Sequence, residues 1–129
     1  MQPFTILLVE DDADLREALV ESLRDEGFTV DCACDGAEAL VYLRKGGTPG
    51  LILLDLMMPR MSGSEFRMVQ KADPALRRFP VVLLSADSQM PEKAKTLEVA
   101  DAIRKPIDLN QLIAMIERYR DAAISKTSA

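Results

Sequence analysis

The sequence contains no histidine and no tryptophan, and only two of its 129 residues are cysteines. Without histidine, this chain cannot use Ser-His-Asp or Cys-His nucleophilic catalysis, bind zinc through imidazole, or carry a phosphohistidine itself. The cysteines, Cys32 and Cys34, are separated by one residue, and on a strand this spacing is poorly suited to a disulfide. We interpret both as small buried apolar side chains in a reducing cell and not as a redox pair.

Long apolar runs and glycine-rich phosphate loops are absent too. No run approaches the roughly 20 apolar residues of a membrane span, and neither the Walker pattern nor the dinucleotide-binding fingerprint occurs. The N-terminus has no basic region followed by a cleavage site, so we expect a cytoplasmic protein with no membrane partner. The net charge of −5 disfavours a surface for the phosphate backbone of nucleic acids, so no nucleic-acid partner is expected.

The composition of the chain is typical of a folded domain. Hydrophobic residues make up 48% and charged residues 29%, with 6 glycines and 7 prolines, which excludes a disordered or low-complexity chain. The length is typical of one domain. We therefore expect a single domain over residues 1–124, with no second domain, and a frayed tail over residues 125–129.

Strand and helix patterns alternate five times along the chain. Three continuous apolar runs predict strands that are buried on both faces, namely Thr5–Val9, Gly50–Leu54 and Pro80–Leu84. Two shorter or more polar runs, Thr29–Cys34 and Asp101–Arg104, predict edge strands. A helical pattern follows each strand. This alternation predicts an α/β fold with a doubly wound, five-stranded parallel sheet of flavodoxin-like order 2-1-3-4-5 and helices on both faces.

A few residues mark the predicted helix boundaries. Pro91 suits the first position of a fourth helix of about two turns. Asp108 is the simplest N-cap for the last helix, which we predict from about Leu109 to Ala123. Asp12 has two interpretations, a metal ligand or, as the favoured one, an acid that helps to start the first helix.

Polar side chains stand at the carboxyl ends of four predicted strands. Glu10 and Asp11 follow the first strand, Asp55 ends the third, Ser85 ends the fourth and Lys105 follows the fifth. In a sheet of this order, ligands bind outside the carboxyl ends of the strands where the order reverses, here between the first and third strands. Clustered carboxylates repel one another unless a cation joins them, and oxygen ligands suit Mg²⁺. This sheet edge is therefore a candidate magnesium site.

Four motifs in this order make the chain resemble the receiver domain of two-component response regulators. Each motif ends a predicted strand, and together they extend the resemblance over nearly the whole chain. The motifs are Leu7–Asp12, Leu53–Pro59 with Met61–Gly63, Leu83–Ala86, and Lys105–Pro106.

The resemblance implies a role for each polar residue at the sheet edge. Asp55 is expected to accept a phosphoryl group from the phosphohistidine of a partner kinase, and Ser85 and Lys105 to contact that group. The cofactor implied is Mg²⁺, for which Mn²⁺ can substitute. The resemblance also implies a cis peptide bond between Lys105 and Pro106.

The resemblance implies the metal ligands as well. Asp11 is expected to contact the ion directly, and Glu10 mainly through water. Asp55 and the backbone carbonyl of Met57 complete the protein's share of the ligands.

The function expected from this resemblance is a Mg²⁺-dependent phosphoryl acceptor that signals by protein contact. It would catalyse its own phosphorylation and dephosphorylation without turning over free substrates, which leaves its status as an enzyme open. The expected partners are a histidine kinase or phosphotransfer protein and an output protein of unknown identity. Three alternatives remain: a receiver excised from a larger hybrid kinase or effector-bearing regulator, an interaction module that is never phosphorylated, and a metal-dependent phosphatase.

One position departs from the family pattern. Receivers usually carry Tyr or Phe three positions before the lysine, and its ring moves inward when the hydroxyl residue moves, but this chain has Ala102 there. A different element must then report the phosphorylated state. We expect the segment Ala86–Glu98 to become ordered on phosphorylation, because short, loosely held segments are common switching elements. A partner should bind the face made by that helix, the fifth strand and the last helix.

Overall fold

In the computed structural model, which describes residues 4–127, five parallel strands alternate with five helices. The sheet order is β2-β1-β3-β4-β5, which confirms the predicted flavodoxin-like arrangement. The strands are β1 Thr5–Val9, β2 Thr29–Ala33, β3 Leu51–Asp55, β4 Val81–Ser85 and β5 Asp101–Arg104. The helices are α1 Ala13–Asp25, α2 Gly36–Arg44, α3 Gly63–Ala72, α4 Met90–Leu97 and α5 Leu109–Thr127.

The apolar content of each strand matches its place in the sheet. β3 and β4 are buried at every position, and β1 at all but its first. The more polar β2 and β5 lie at the two edges. Pairing aligns the carboxyl ends of the central strands, since Val9 is the register partner of Leu54 and Asp55 that of Leu84. Residues that follow these strands therefore converge at one edge.

Different helices cover the two faces of the sheet. α1 and α5 cover one face through buried side chains such as Leu19 and Leu112. α2, α3 and α4 cover the other face, where Phe66 and Leu97 lie in the core. Fully burying a side chain of this size contributes about 1.5–3 kcal/mol to folding. Both faces are thus closed by packing, which makes the sheet a rigid base for the loops at its carboxyl edge.

Side-chain caps start four of the five helices, and at α2 the cap is Asp35, which accepts a hydrogen bond from the Glu38 N–H at 2.9 Å. Asp12 is the N-cap of α1 and accepts a hydrogen bond from the Leu15 N–H at 3.1 Å, which confirms the favoured interpretation of this acid. Ser62 and Glu65 form a capping box at the start of α3. At α5, Asp108 Oδ1 accepts from the backbone of the second and third helical residues. Caps of this kind contribute about 1 kcal/mol each.

The last helix is longer than the sequence pattern predicts. α5 continues to Thr127, four residues beyond the predicted end at Ala123. The frayed tail over residues 125–129 stays a prediction, and residues 128 and 129 lie outside the described part of the chain. No glycine or proline follows Ala123, so nothing in the sequence stops the helix there. None of the helices formed by residues 4–127 combines the length and apolarity needed to cross a membrane.

The two cysteines are free, as predicted, but the prediction that they are buried is wrong. Cys32 is exposed and Cys34 is half-buried. Cys32 lies on the edge strand β2 and Cys34 just after it, and Cys32 borders an open groove beside Val20 and Arg24 of α1. The Cys34 thiol donates to Glu38 Oε2 at 3.1 Å, and this negative partner raises the thiol pKa.

Candidate functional site

The three carboxylates that the sequence predicts as metal ligands form a cluster at the carboxyl edge of the sheet. Glu10 and Asp11 follow β1, Asp55 ends β3, and one oxygen from each lies within 4.8 Å of the others. Glu10 is fully buried, Asp55 is 5% exposed and Asp11 is exposed. The cluster therefore has two carboxylates inside the sheet edge and one at its mouth.

Lys105 provides the positive charge of this cluster. It follows β5, and its backbone N–H donates to the Ser85 carbonyl at 2.9 Å. Its Nζ lies 2.6 Å from Glu10 Oε1 and 3.5 Å from Asp55 Oδ2. The peptide bond between Lys105 and Pro106 is cis, as the resemblance implies. One ammonium group thus spans the two buried carboxylates.

The two buried carboxyl groups, Glu10 and Asp55, have pKa values that are shifted in opposite directions. Burial raises the pKa of Asp55 to about 7, helped by a hydrogen bond and charge repulsion from Glu10. Burial also opposes ionisation of Glu10, but hydrogen bonds with Lys105 and Asp55 outweigh it and lower the pKa of Glu10. The Lys105 ammonium loses hydration on burial, yet the two acids raise its pKa. Without a divalent cation, Asp55 is therefore the acid of the pair that ionises at the higher pH.

Ser85 and Met57 complete the surroundings of Asp55. Both line an open pocket of about 280 Å³ together with Asp55, Asp87 and Lys105. Ser85 is buried, and its Oγ accepts a hydrogen bond from the Asp87 N–H at 3.0 Å. The Met57 side chain is 67% exposed, and its backbone N–H donates to Asp55 Oδ1 at 3.4 Å. Four of the predicted site residues thus line one pocket, and Glu10 and Asp11 lie in the carboxylate cluster beside Asp55.

The β3–α3 loop is held close to the sheet by two glycines. The Gly63 N–H donates to the Leu56 carbonyl at 3.0 Å, and the Gly36 N–H donates to the Met61 carbonyl at 3.1 Å. A Cβ at Gly63 would clash with the backbone of Asp55. Glycine at this position therefore lets the start of α3 lie directly against the end of β3, which positions the Asp55 side chain.

Sequence reasoning missed two residues near the pocket, Arg16 and Lys93. It predicts Asp87 there, because Asp87 follows Ser85 by two positions, and Asp87 lines the pocket. Arg16 Nη1 donates to the Glu10 carbonyl at 2.8 Å, which fixes the chain where β1 ends. Asp87 Oδ2 forms an ion pair with Lys93 Nζ at 2.5 Å. A basic residue one turn into α1 is a signal that could have identified Arg16. The six-residue separation of Asp87 and Lys93 crosses a turn into a helix, so no simple periodicity reveals that pair.

The oxygen-rich ligand set fits a hard divalent cation. Two carboxylates held beside a third repel one another unless positive charge offsets them, and the single ammonium of Lys105 offsets only part of that charge. Carboxylates and a backbone carbonyl with room for water are typical ligands of Mg²⁺. The geometry is therefore that of an acidic site suited to Mg²⁺ beside a carboxyl group at the base of an open pocket.

Comparison with solved structures shows that receiver domains have a similar fold. The receiver domain of a signal transduction histidine kinase from Syntrophus aciditrophicus has 30% identity and a TM-score of 0.83, over 92% of this chain and 91% of that one. The response regulator TrrA from Thermotoga maritima, solved in complex with Mg²⁺-BeF, has 28% identity and a TM-score of 0.79, over 90% of this chain and 98% of that one.

Comparison with sequences gives the family. A transcriptional regulatory protein, DltR from Streptococcus agalactiae, is 33% identical over 126 residues, which cover 95% of this chain but 55% of that protein. The chain thus spans about half the length of such curated relatives. The family model of the response regulator receiver domain matches residues 6–117. The chain belongs to the response regulator receiver domain family of two-component systems.

Proposed function

We propose that this chain is a phosphorylatable receiver that accepts a phosphoryl group on Asp55 from the phosphohistidine of a histidine kinase or phosphotransfer protein. One observation carries the proposal. Lys105 Nζ lies 3.5 Å from Asp55 Oδ2 at the base of an open pocket that Ser85 also lines. A nucleophilic carboxylate, a fixed cation and a hydroxyl are the groups that phosphoryl transfer to an aspartate needs.

The proposed transfer makes one bond and breaks one. An Asp55 carboxylate oxygen attacks the phosphorus, the phosphorus–nitrogen bond breaks, and its electron pair returns to the imidazole, which takes up a proton. Attack requires ionised Asp55, and the Lys105 charge opposes the effect of burial on its pKa. Lys105 and Ser85 then hold two oxygens of the phosphoryl group by charge and by a hydrogen bond. Most of the acceleration comes from such positioning and electrostatics.

The residues that would hold Mg²⁺ are Glu10, Asp11, Asp55 and the Met57 carbonyl. Bound Mg²⁺, or Mn²⁺ in its place, would offset the charge of the carboxylates and of the phosphoryl oxygens. The donor set supports this assignment, since three carboxylates come within 4.8 Å of one another. The Thermotoga relative described above was solved with Mg²⁺-BeF, which adds support for Mg²⁺ beside Asp55 in this chain.

We propose that the phosphorylated chain signals through contact with an output protein. The curated relatives are about twice as long as this chain, so an output region in the same polypeptide and a separate output protein are both compatible with this role. The face made by α4, β5 and α5 is the proposed contact surface, because α4 begins beside the phosphoryl pocket.

The test is labelling with acetyl phosphate and Mg²⁺, followed by mass spectrometry. We expect one phosphoryl group per chain on Asp55 and none on Asp55→Asn. Asp14→Asn is the matched control, since Asp14 is an exposed acid in the first turn of α1 and its loss should leave labelling unchanged. A folded wild type that takes no label, or equal labelling of Asp55→Asn, would overturn the proposal and favour an interaction module.

A further inference from the structure

Asp87 brings an unused acid to the wall of the phosphoryl pocket. Its side chain is 21% exposed and lines the pocket with Asp55 and Lys105. Its backbone N–H donates to Ser85 Oγ at 3.0 Å. A free carboxylate at this position would repel an incoming phosphoryl group, because like charges at short range oppose one another. The site therefore needs a group that neutralises Asp87 or holds it away from the pocket.

Lys93 is the group that meets this need. It lies in the second turn of α4, and its Nζ contacts Asp87 Oδ2 at 2.5 Å. The other oxygen, Oδ1, accepts from the Gln89 N–H at 2.8 Å. Both carboxylate oxygens of Asp87 thus have partners on the side of α4. Asp87 pairs with Lys93, whereas Asp55 pairs with Lys105.

The same acid also holds the beginning of α4. The helix has no side-chain N-cap, and the Met90 N–H donates instead to the Asp87 carbonyl at 3.0 Å. At the other end, Arg67 donates to the carbonyls of Leu97 at 2.9 Å and Glu98 at 2.7 Å. α4 is therefore pinned to α3 at its C-terminal end, while Asp87 ties its N-terminal end to the phosphoryl pocket.

We propose that Lys93 is a positioning residue for the phosphoryl site. It neutralises the Asp87 carboxylate and holds it against α4, so that the pocket accepts an anion on Asp55, and through Asp87 it ties the start of α4 to the charge in the pocket. This inference rests on the proposed function and deepens it. It gives the chain a link between Ser85 and α4 that needs no aromatic side chain at position 102, where this chain has alanine.

The experiment measures the affinity of the full chain for beryllium fluoride in the presence of Mg²⁺ by calorimetry. Lys93→Gln should weaken binding about fivefold or more, because the unpaired Asp87 carboxylate then faces the anion. Lys95→Gln is the matched control. Lys95 is exposed on the same helix and has no ion pair among residues 4–127, so its loss should change affinity by less than about twofold.

A second substitution separates the charge of Asp87 from any damage to α4. Adding Asp87→Asn to Lys93→Gln removes the unpaired charge, so it should return the affinity to within about twofold of wild type. Thermal melts show whether each variant folds. The inference is overturned if the two lysine variants bind equally, if Lys93→Gln binds more tightly than wild type, or if the double variant stays as weak as Lys93→Gln.

Failure of the proposed function gives a different pattern. A folded wild type that does not bind beryllium fluoride, or binds it as well after Asp55→Asn, overturns the phosphoryl-acceptor role and with it the inference about Lys93. Binding by wild type that is lost in Asp55→Asn, with no selective effect of Lys93→Gln, overturns the inference alone.

Discussion

Gly63 lies against the backbone of Asp55, so close that a Cβ at Gly63 would clash with the Asp55 carbonyl oxygen and come within 2.9 Å of the Leu56 Cα. The contacts are with backbone, which has little freedom to move at the end of a buried strand. The first residue of α3 and the proposed phosphoryl acceptor are thus held by one close contact, and glycine is the residue that permits it.

Gly63→Ala should therefore damage both stability and the site. We expect a loss of about 1–3 kcal/mol in the free energy of unfolding, the usual cost of overpacking, and slower labelling of Asp55 by acetyl phosphate. Urea unfolding and mass spectrometry measure the two effects. Ser64→Ala, in the same helical turn and only half-buried, is the control and should leave labelling unchanged. Normal labelling of Gly63→Ala would show that the contact does not position Asp55.

The pKa of Asp55 predicts how stability depends on pH when no divalent cation is present. Folding raises this pKa from 3.8 to about 7, so between these values the folded chain holds a proton that the unfolded chain has released. The stability that this proton contributes is full below about pH 4 and is lost as the pH rises through about 7. Wild type in EDTA should thus lose about 3 kcal/mol more than Asp55→Asn between about pH 5 and about pH 8.5.

The lowered pKa of Glu10 acts in the opposite direction and in a more acidic range. The stability that it contributes is present above the ordinary value of 4.5 and is lost as the pH falls through the folded value. Measurements above about pH 5 therefore isolate Asp55. Urea unfolding of wild type and Asp55→Asn in EDTA is the measurement, and parallel pH profiles for the two proteins would contradict the assignment.

Binding of Mg²⁺ should stabilise the fold. At ten times its dissociation constant, the ion adds about 1.4 kcal/mol, which a thermal melt detects without any assay of activity. Asp11→Ala should abolish the shift because it removes the exposed carboxylate of the cluster. Asp14→Ala removes an exposed acid outside the cluster and should retain the shift. An equal shift in Asp11→Ala and wild type would place the ion elsewhere.

Met57 should slow hydrolysis of the aspartyl phosphate. Its apolar side chain lines the pocket beside Asp55 and cannot orient an attacking water by hydrogen bonding. Met57→Asn supplies an amide that can, so we expect the phosphorylated protein to decay severalfold faster. Met68→Asn is the matched control and should leave the decay rate unchanged. Met68 is 66% exposed, against 67% for Met57, but it lies on α3 and not in the pocket lining. Decay rates that are the same for wild type and Met57→Asn would mean that the side chain does not reach the water.

Some of this site could be predicted from the sequence because it depends on local patterns. The buried strands are continuous apolar runs, and a parallel sheet brings their carboxyl ends to one edge. Asp55 and Ser85 end two such strands, so their neighbourhood follows from the strand order. Their partner Lys105 follows the fifth strand in the same way. The position of the site at the sheet edge thus follows from the residues at which the apolar runs end.

The remaining features depend on contacts between distant residues, which periodicity does not encode. Arg67 and Gln70 occupy a helix face that resembles a solvated one, yet both are buried and bond to each other at 2.8 Å. Gln70 Nε2 also donates to the carbonyls of Leu76 and Phe79, each at 3.0 Å. The exposure of Cys32 likewise depends on the open groove that it shares with α1. These are outcomes of tertiary packing.

The anchor at Arg67 sharpens the prediction about the switch. We predicted that the whole segment Ala86–Glu98 becomes ordered, but in this structure its C-terminal end is already held by the bonds of Arg67 to Leu97 and Glu98. The change should therefore concentrate in residues 86–93, where Asp87 organises the start of α4.

Hydrogen exchange with and without beryllium fluoride and Mg²⁺ tests this distribution. We expect slower exchange over residues 86–93 when the anion is bound, because Ser85 then donates to the anion and restrains the backbone that leads to α4, and little change over residues 96–98. Arg67→Met is the matched variant. It keeps an unbranched side chain but removes the donors to α4, so the anion should then slow exchange along the whole helix. Protection confined to residues around Asp55 would mean that α4 does not carry the signal, and equal protection along α4 in wild type would mean that Arg67 is not its anchor.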